Sequence, residues 1–233
     1  MSLPTLLLTR PRGASCGFVA ALEPAARKAV QVLIAPLMEI TSVGAKPVPE
    51  EIQGAIFTSA NGVDFGPEGQ GRLAFCVGAR TTAEARRRGW DAEQAGRTAI
   101  ELIAALRKVR PSIGLVHLSG EHTIGDIADT LTADGIETVH VPIYQQNLLP
   151  LEPAARQALA GPCIIPVFSH RTAKQLRAEA SGLLEFAHII ALSDSIAAPF
   201  EGEKLASCVI LPSPQTIYMR KAVETLCLNL SLA

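Results

Sequence analysis

A strand-then-helix pattern recurs seven times along this 233-residue chain. In each copy, a short run of aliphatic and β-branched residues ends in a hydroxyl residue or glycine, and a helical pattern follows. Continuous apolar strands that alternate with helices are typical of parallel sheets covered on both faces. The pattern predicts an α/β fold and excludes all-helical and all-β folds. The copies lie at residues 6–13, 55–63, 74–89, 115–123, 164–176, 189–198 and 209–223.

Three of the helical segments carry strong signals. Residues 81–89 begin with two threonines, carry an early Glu and end at a glycine, as helices often do. Residues 98–108 and 123–135 have apolar residues at helical spacing, and Gly135 fits a C-cap. The segment 62–72, GVDFGPEGQGR, is rich in Gly and Pro, which predicts a loop or a single turn.

Two extended segments break the pattern. VQVLIAPLMEITSV (30–43) and ETVHVPIYQQNLL (137–149) each contain a proline followed by large apolar residues. Because proline is confined to sheet edges and bulges, we expect neither segment in a central strand. We interpret them as a pair of connectors, with residues near 36 and 142 side by side.

The connectors bracket about a hundred residues and so define an inserted domain. The predicted fold has two parallel-sheet α/β domains joined by a two-stranded hinge, and the first domain is discontinuous. Domain 1 comprises residues 1–35 and 148–233, domain 2 comprises 39–143, and the hinge strands lie near 33–42 and 138–147. The chain is long enough for two such domains, each with its own core.

Composition excludes several classes of partner. A net charge of −1 provides no broad basic face for nucleic acid, so an acidic ligand would have to be held by local groups. No apolar stretch approaches the roughly 20 residues that span a bilayer. The five cysteines are odd in number, widely spaced and without a zinc-binding pattern. These features predict a cytoplasmic protein with reduced thiols, no bound metal and no membrane partner.

The carboxyl ends of the predicted strands form the candidate binding site, because open parallel sheets bind ligands there. Each end precedes a helix start, whose unpaired N–H groups and positive dipole end favour anions. Helix capping is the alternative role for the hydroxyls. The residues at these ends are Thr9, Arg10, Arg12, Thr58, Ser59, Gly78, Arg80, Thr81, Ser119, Gly120, Ser169, Arg171, Ser193, Ser195 and Ser213.

The common catalytic signatures are missing from the sequence. It contains no GxSxG elbow, Walker loop, GxGxxG or HExxH motif. His117 lies within a predicted strand, where packing is the expected role. No acidic residue close to His170 in sequence could orient it as a base. An enzyme with this sequence would therefore act without a conventional nucleophile, metal or cofactor.

The order and spacing of the segments resemble the uroporphyrinogen-III synthase family over nearly the whole chain. The segments are LLLTRPRG, IFTSANGV, CVGARTTAEARRRGW, LVHLSGEHTIGD, PIYQQ, FSHRTA and IALSDSIAA. The resemblance implies two α/β domains on a two-stranded hinge. It also implies that hydroxymethylbilane, a linear tetrapyrrole with eight carboxylates, binds between them largely through backbone N–H groups. The implied reaction, in tetrapyrrole biosynthesis, closes this chain with loss of water and inversion of ring D, without a cofactor.

The same resemblance assigns roles to individual residues. The family's hinge tyrosine falls on Tyr144, a candidate acid that would assist departure of the substrate hydroxyl. Packing of the ring against the hinge is the alternative. The family's substrate-binding hydroxyls fall on Thr58, Ser59, Thr81, Ser169, Ser193 and Ser195.

The chain departs from the family pattern in two places. Asp194 and Ile196 stand where Pro or a small residue and Thr are often found, and residues 64–72 replace a helix. Two other functions stay open: a non-catalytic two-lobed protein that binds a tetrapyrrole or other polyanion, and a cleft enzyme for a phosphorylated ligand. For the synthase we expect a monomer acting on a small molecule.

Overall fold

The computed structural model describes residues 3–44, 52–121, 126–213 and 215–231. The strands in these ranges are β1 (Thr5–Leu8), β2 (Gln31–Ile34), β3 (Met38–Ser42), β4 (Ile52–Phe57), β5 (Leu73–Val77), β6 (Asp91–Gly96), β7 (Gly114–Gly120), β8 (Thr138–Leu148), β9 (Cys163–Val167), β10 (Ala187–Ala191) and β11 (Ser207–Ile210). The helices are α1 (Arg12–Ala20), α2 (Pro24–Lys28), α3 (Ala60–Phe65), α4 (Ala79–Arg87), α5 (Ala99–Val109), α6 (Ile127–Ala133), α7 (Pro153–Ala158), α8 (His170–Glu179), α9 (Asp194–Ala197) and α10 (Thr216–Ser231). A 3₁₀ turn, Ala198–Phe200, follows α9. None of the helices in the described ranges has the length and apolar character needed to cross a membrane.

The chain divides into two compact units. Unit 1 comprises Met1–Glu39 and Asn147–Ala233, and unit 2 comprises Ile40–Gln146. Unit 1 contains a five-stranded sheet in the order β11-β10-β9-β1-β2, in which every neighbouring pair is parallel. Its inner strands, β1, β9 and β10, are buried on both faces. In β1, for example, Leu7 packs in the core on one face, and Leu6 and Leu8 pack on the other.

Unit 2 contains a six-stranded sheet in the order β3-β8-β7-β4-β5-β6. The pairs from β8 to β6 are parallel. Both faces are again buried: Phe57 of β4 packs on one side, and Ile56 packs on the other against α5 and α6 residues. These continuous apolar strands confirm the predicted α/β class.

The two predicted connectors are hydrogen-bonded strands. The Leu149 N–H donates to the Leu37 carbonyl at 2.9 Å, and the Val43 N–H donates to the Ile143 carbonyl at 3.3 Å. The two strands, β3 and β8, therefore run antiparallel. This register places residue 36 near 150, so the expectation that 36 and 142 lie side by side is wrong.

Pro142 also corrects the expectation that neither proline belongs to a central strand. Pro142 lies within β8, which has β3 on one side and β7 on the other. It lies opposite Ser119, where the register between β7 and β8 shifts. A proline has no N–H for the ladder, and the bulge accommodates it inside the sheet. Pro36 lies between β2 and β3, outside both strands.

Local predictions failed at two further places. Strand β6, with the sequence DAEQAG, was not predicted because an edge strand with polar residues lacks the apolar signal. Helix α4 begins at Ala79, two residues before the predicted start. Residues 62–72 agree with their prediction as a loop or a single turn: they contain the last turn of the six-residue helix α3, which ends at Phe65, and then non-helical chain as far as β5.

Candidate active site

The carboxyl ends of β10, β9 and β1 lie next to one another in unit 1. The residues that follow these strands form what we call rim 1: Thr9–Arg10, Phe168–Ser169 and Leu192–Ser195. From β1 the chain continues to β2 on one side, and β9 lies on the other. This reversal of strand order between β1 and β9 is the position at which open α/β sheets bind ligands.

The hydroxyls of rim 1 differ in their hydrogen bonds. Ser169 caps α8, because its Oγ accepts a hydrogen bond from the Thr172 N–H at 3.2 Å. Ser193 precedes α9 but makes no capping bond through its side chain. Its Oγ lies 3.0 Å from the Ser195 Oγ. Capping therefore explains Ser169 and does not explain Ser193.

Thr9 and Arg10, both predicted to bind the substrate, differ in where their side chains lie. Thr9 is only 1% exposed and its carbonyl accepts the Leu37 N–H, so its side chain lies beneath the surface of rim 1. The Arg10 guanidinium lies over the Phe168 ring, 4.1 Å from the ring centroid. This cation–π contact places the arginine across the junction of β1 and β9.

His170 and the 193–196 segment are linked at rim 1. The His170 Nδ1 lies 2.5 Å from the Ser195 carbonyl oxygen, so its partner is a backbone carbonyl. Asp194 is exposed in the first turn of α9, and Ile196 is packed in the core of unit 1. Ile196, one of the residues at which the chain departs from the family pattern, is therefore part of the core.

Unit 2 has a corresponding rim at the carboxyl ends of β7, β4 and β5, which are neighbours in that order, and at Tyr144 of β8, where the pairing of β8 with β7 ends. Rim 2 consists of Thr58–Ser59, Gly78–Thr81, Ser119–Gly120 and Tyr144. The chain runs from β4 through β5 to β6 on one side, and β7 lies on the other side of β4. The reversal of strand order between β4 and β7 brings Thr58 and Ser119 to the second position suited to a ligand.

Two helix starts contribute to rim 2. The Ser59 Oγ accepts a hydrogen bond from the Asn61 N–H at 3.2 Å and so caps α3. Gly78 precedes α4 with φ +80°, a conformation that favours glycine. Thr81 lies in the first turn of α4 and is 6% exposed, so its side chain is packed rather than open.

The predicted catalytic residue, Tyr144, is 6% exposed and packs in a core of unit 2. Its ring stacks on Phe65, with ring centroids 5.8 Å apart. On another side it meets the backbone of Gly120, where an added Cβ would lie 2.7 Å from the Tyr144 Cε2. Only glycine allows this approach, so the ring is in contact with both Phe65 and the Gly120 backbone.

A polar group that the sequence analysis missed lies under rim 2. The His117 Nε2 is 3.4 Å from the Thr58 Oγ1, and the His140 Nε2 is 2.7 Å from the Ser119 Oγ. The two imidazole centroids are 5.4 Å apart, because His117 and His140 are paired positions of β7 and β8. The group could not be predicted, because the sequence alone does not give the register of β7 against β8.

Burial, together with the neighbouring His140, lowers the pKa of His117 to about 4. His117 is 2% exposed and is therefore neutral at physiological pH. The expectation that it is packed is correct, and in addition its ring contacts a predicted substrate-binding threonine. Within the described ranges, no three His, Cys, Asp or Glu side chains cluster in a way that could hold a metal ion.

Comparison with known proteins identifies the family. The chain matches the family described as uroporphyrinogen-III synthase HemD over residues 20–216. The chain belongs to this family. The match extends through both compact units and includes every residue of rim 2 and the later strands of rim 1.

One solved structure agrees with this assignment at the level of fold, and a second is reported with it. The uroporphyrinogen-III synthetase of Helicobacter pylori is 15% identical, with a TM-score of 0.66 over 96% of this chain and 100% of that one. A mutant uroporphyrinogen III synthase of Thermus thermophilus is 14% identical, with a TM-score of 0.48 over 97% of this chain and 99% of that one. No curated protein sequence matched the chain.

Proposed function

We propose that this protein is a uroporphyrinogen-III synthase, which cyclises hydroxymethylbilane with loss of water and inversion of ring D in tetrapyrrole biosynthesis. The observation that carries the proposal is the family match over residues 20–216, which extends through both units and includes the reversal of strand order between β4 and β7.

The rims suit a substrate with many carboxylates. A net charge of −1 cannot hold such a substrate by overall attraction, so local groups must do so. The starts of α8 and α4 present backbone N–H groups and positive dipole ends at rims 1 and 2. Arg10 at rim 1 adds a guanidinium suited to carboxylates. The two rims are the proposed anchors for substrate carboxylates.

The proposed reaction needs geometry more than strong acid–base groups. A proton delivered to the substrate hydroxyl lets water leave, and loss of the N–H proton of the same pyrrole gives a neutral, electrophilic methylene-pyrrolenine. The substituted carbon of the last pyrrole attacks this methylene to form a spiro intermediate, which fragments and recloses with that ring inverted. Free substrate closes unaided without inversion, so the protein must hold the chain where the spiro route is shorter.

Tyr144 is the proposed proton donor at the departing hydroxyl. A phenol is a weak acid, so the contribution of Tyr144 to the reaction rests on where its hydroxyl is placed. The contacts of the ring with Phe65 and Gly120 support this, because they fix the ring at rim 2. We further propose that the protein works as a monomer in the cytoplasm, with no cofactor, nucleic acid or membrane partner.

The proposal is tested by product analysis. Purified protein, treated with a chelator, is supplied with enzymatically generated hydroxymethylbilane, and the type I and type III uroporphyrins are resolved after oxidation. Type III product in excess of the protein-free reaction supports the synthase. Type I product alone, with or without protein, would refute it, and tetrapyrrole binding without turnover would then favour a non-catalytic binding protein.

A further inference from the structure

We propose that His140 is a positioning residue for the reaction: through Ser119 it fixes Gly120, and Gly120 in turn fixes the ring of Tyr144. This inference rests on the proposed function of Tyr144. His140 lies in β8 before rim 2 and has no role among the residues assigned from the family resemblance.

The first step is the hydrogen bond between His140 and Ser119. The His140 Nε2 lies 2.7 Å from the Ser119 Oγ, and the Ser119 hydroxyl donates to the Gly120 carbonyl at 3.1 Å. A hydroxyl has a single proton, and a carbonyl can only accept. When both bonds form, the His140 Nε2–H must therefore donate to Ser119. The three residues make a directed chain from the imidazole to the backbone of Gly120.

The second step is the interruption of the strand ladder at the same place. The pairing of β7 with β8 shifts between Ser119 and Gly120, and Ser119 lies opposite Pro142, which has no N–H to donate. Backbone pairing resumes where the Glu121 N–H donates to the Tyr144 carbonyl at 3.0 Å. The side-chain bonds of His140 and Ser119 therefore brace a stretch of β7 in which the sheet provides fewer backbone bonds.

The third step is the contact that this stretch makes. Gly120 lies so close to Tyr144 that an added Cβ would be 2.7 Å from the Cε2 and 2.9 Å from the Cζ of the ring. A shift of the Gly120 backbone would thus shift the phenol directly. Ser119 is 2% exposed, so its hydroxyl acts on the backbone from beneath the rim.

The exposure of His140 makes the inference testable. Its side chain is exposed, whereas Ser119 is buried, so replacing His140 removes the hydrogen bond without opening a cavity in the core. Unit 1 offers a matched control. There the His188 Nδ1 lies 2.9 Å from the Ser207 Oγ, on paired positions near the amino ends of β10 and β11. The control has the same pair of side chains, far along the strands from rim 1.

The experiment compares His140→Leu, His140→Gln, Ser119→Ala and the double variant His140→Leu/Ser119→Ala, with His188→Leu as control. Each is assayed for kcat, KM and the ratio of type III to type I product. We expect His140→Leu to lower kcat by about 3- to 10-fold, since misplacement by 1 Å can cost about 10²-fold. The KM should stay within about twofold, since His140 does not contact substrate in this scheme.

Two comparisons separate positioning from general support of the fold. His140→Gln should keep most of the activity, because its amide N–H can donate to Ser119 in place of the imidazole. His140→Leu should add no further loss in the Ser119→Ala background, because residues that act through one another are not additive. His188→Leu should match the wild type.

The inference is wrong if His140→Leu has wild-type kcat and product ratio, if glutamine fails to rescue, or if the two losses simply add. These outcomes differ from failure of the proposed function. If the wild-type protein forms type III product while His140→Leu is fully active, only the positioning role fails. If the wild-type protein itself forms type I product alone, the synthase proposal fails.

Discussion

Gly120→Ala tests the packing of the proposed catalytic tyrosine most directly. The new Cβ would lie 2.7 Å from the Tyr144 Cε2 and 2.9 Å from the Cζ. Carbon atoms in contact are normally about 3.5–4.0 Å apart, so the ring would have to move by about 1 Å. Gly120 is not among the glycines with positive φ, so alanine is acceptable to the backbone, and the effect arises from the contact alone.

The magnitude of the effect follows from what holds the ring. Phe65 stacks on Tyr144 at a centroid distance of 5.8 Å, so the ring cannot move without disturbing that pair. Overpacking of this kind costs about 1–3 kcal/mol of the free energy of unfolding. The same displacement moves the phenol hydroxyl, and we expect kcat to fall by about 10-fold, within the range of up to about 10² for a 1 Å error.

Stability is measured by urea unfolding, and catalysis by kcat and by the ratio of type III to type I product. Gly17→Ala is the matched control, because an added Cβ there meets no atom within 4 Å. Gly17 lies within α1, so this variant should be more stable by about 0.5–1 kcal/mol and keep full activity. Wild-type stability and product ratio in Gly120→Ala would refute the proposed packing.

Three further changes have expected outcomes. Tyr144→Phe should lower kcat by up to about 10²-fold with little change in KM, because the ring still packs; full activity would reduce Tyr144 to a packing residue. By urea unfolding, Ser169→Ala should lose about 0.5–2 kcal/mol through its cap, and Ser193→Ala less, since only Ser169 makes a capping bond; equal losses would contradict this. The pKa of His117 is about 4 in the folded protein and 6.5 for the free side chain. Between pH 4 and pH 6.5, His117 is therefore protonated in the unfolded chain and neutral in the folded protein. Stability should therefore fall by up to about 1.4 kcal/mol per pH unit as pH drops from 6.5 to 4, and His117→Gln should flatten this slope in unfolding measured across that range.

The sequence was most informative where local and tertiary requirements agree. Runs such as LLL in β1 and CII in β9 are apolar on both faces because the sheet is covered on both sides, so a continuous apolar run predicts the strand. The two connectors could be identified from the sequence because each is an extended segment with a proline that does not fit the strand–helix repeat. Strand β6 was missed because Asp91–Gly96 forms an edge strand, which needs little apolar surface.

The sequence predicted which residues of the candidate site lie at strand ends, but not which of their side chains are exposed. Ser169 and Ser59 lie at helix starts as predicted, because capping is a local property. The burial of Thr9 and Thr81 depends on how the following segments pack, which no local pattern specifies. The bond from His140 to Ser119 depends on the register of β7 against β8, and a shift of one residue would break it.

The discontinuity of unit 1 has a consequence for the order in which the protein is synthesised and folded. Strand β1 pairs with β9. Thr5 therefore cannot meet its partner Cys163 until that residue has been synthesised and has left the ribosome. The strands of unit 2 from β4 to β7 are complete long before that point, and their contacts close shorter loops. Unit 2 should therefore fold first during translation, while the apolar residues of β1 and β2 stay uncovered. Until residue 163 has been added, the nascent chain carries a hydrophobic segment without its β9 partner, and this is the period in which a chaperone would have most to protect.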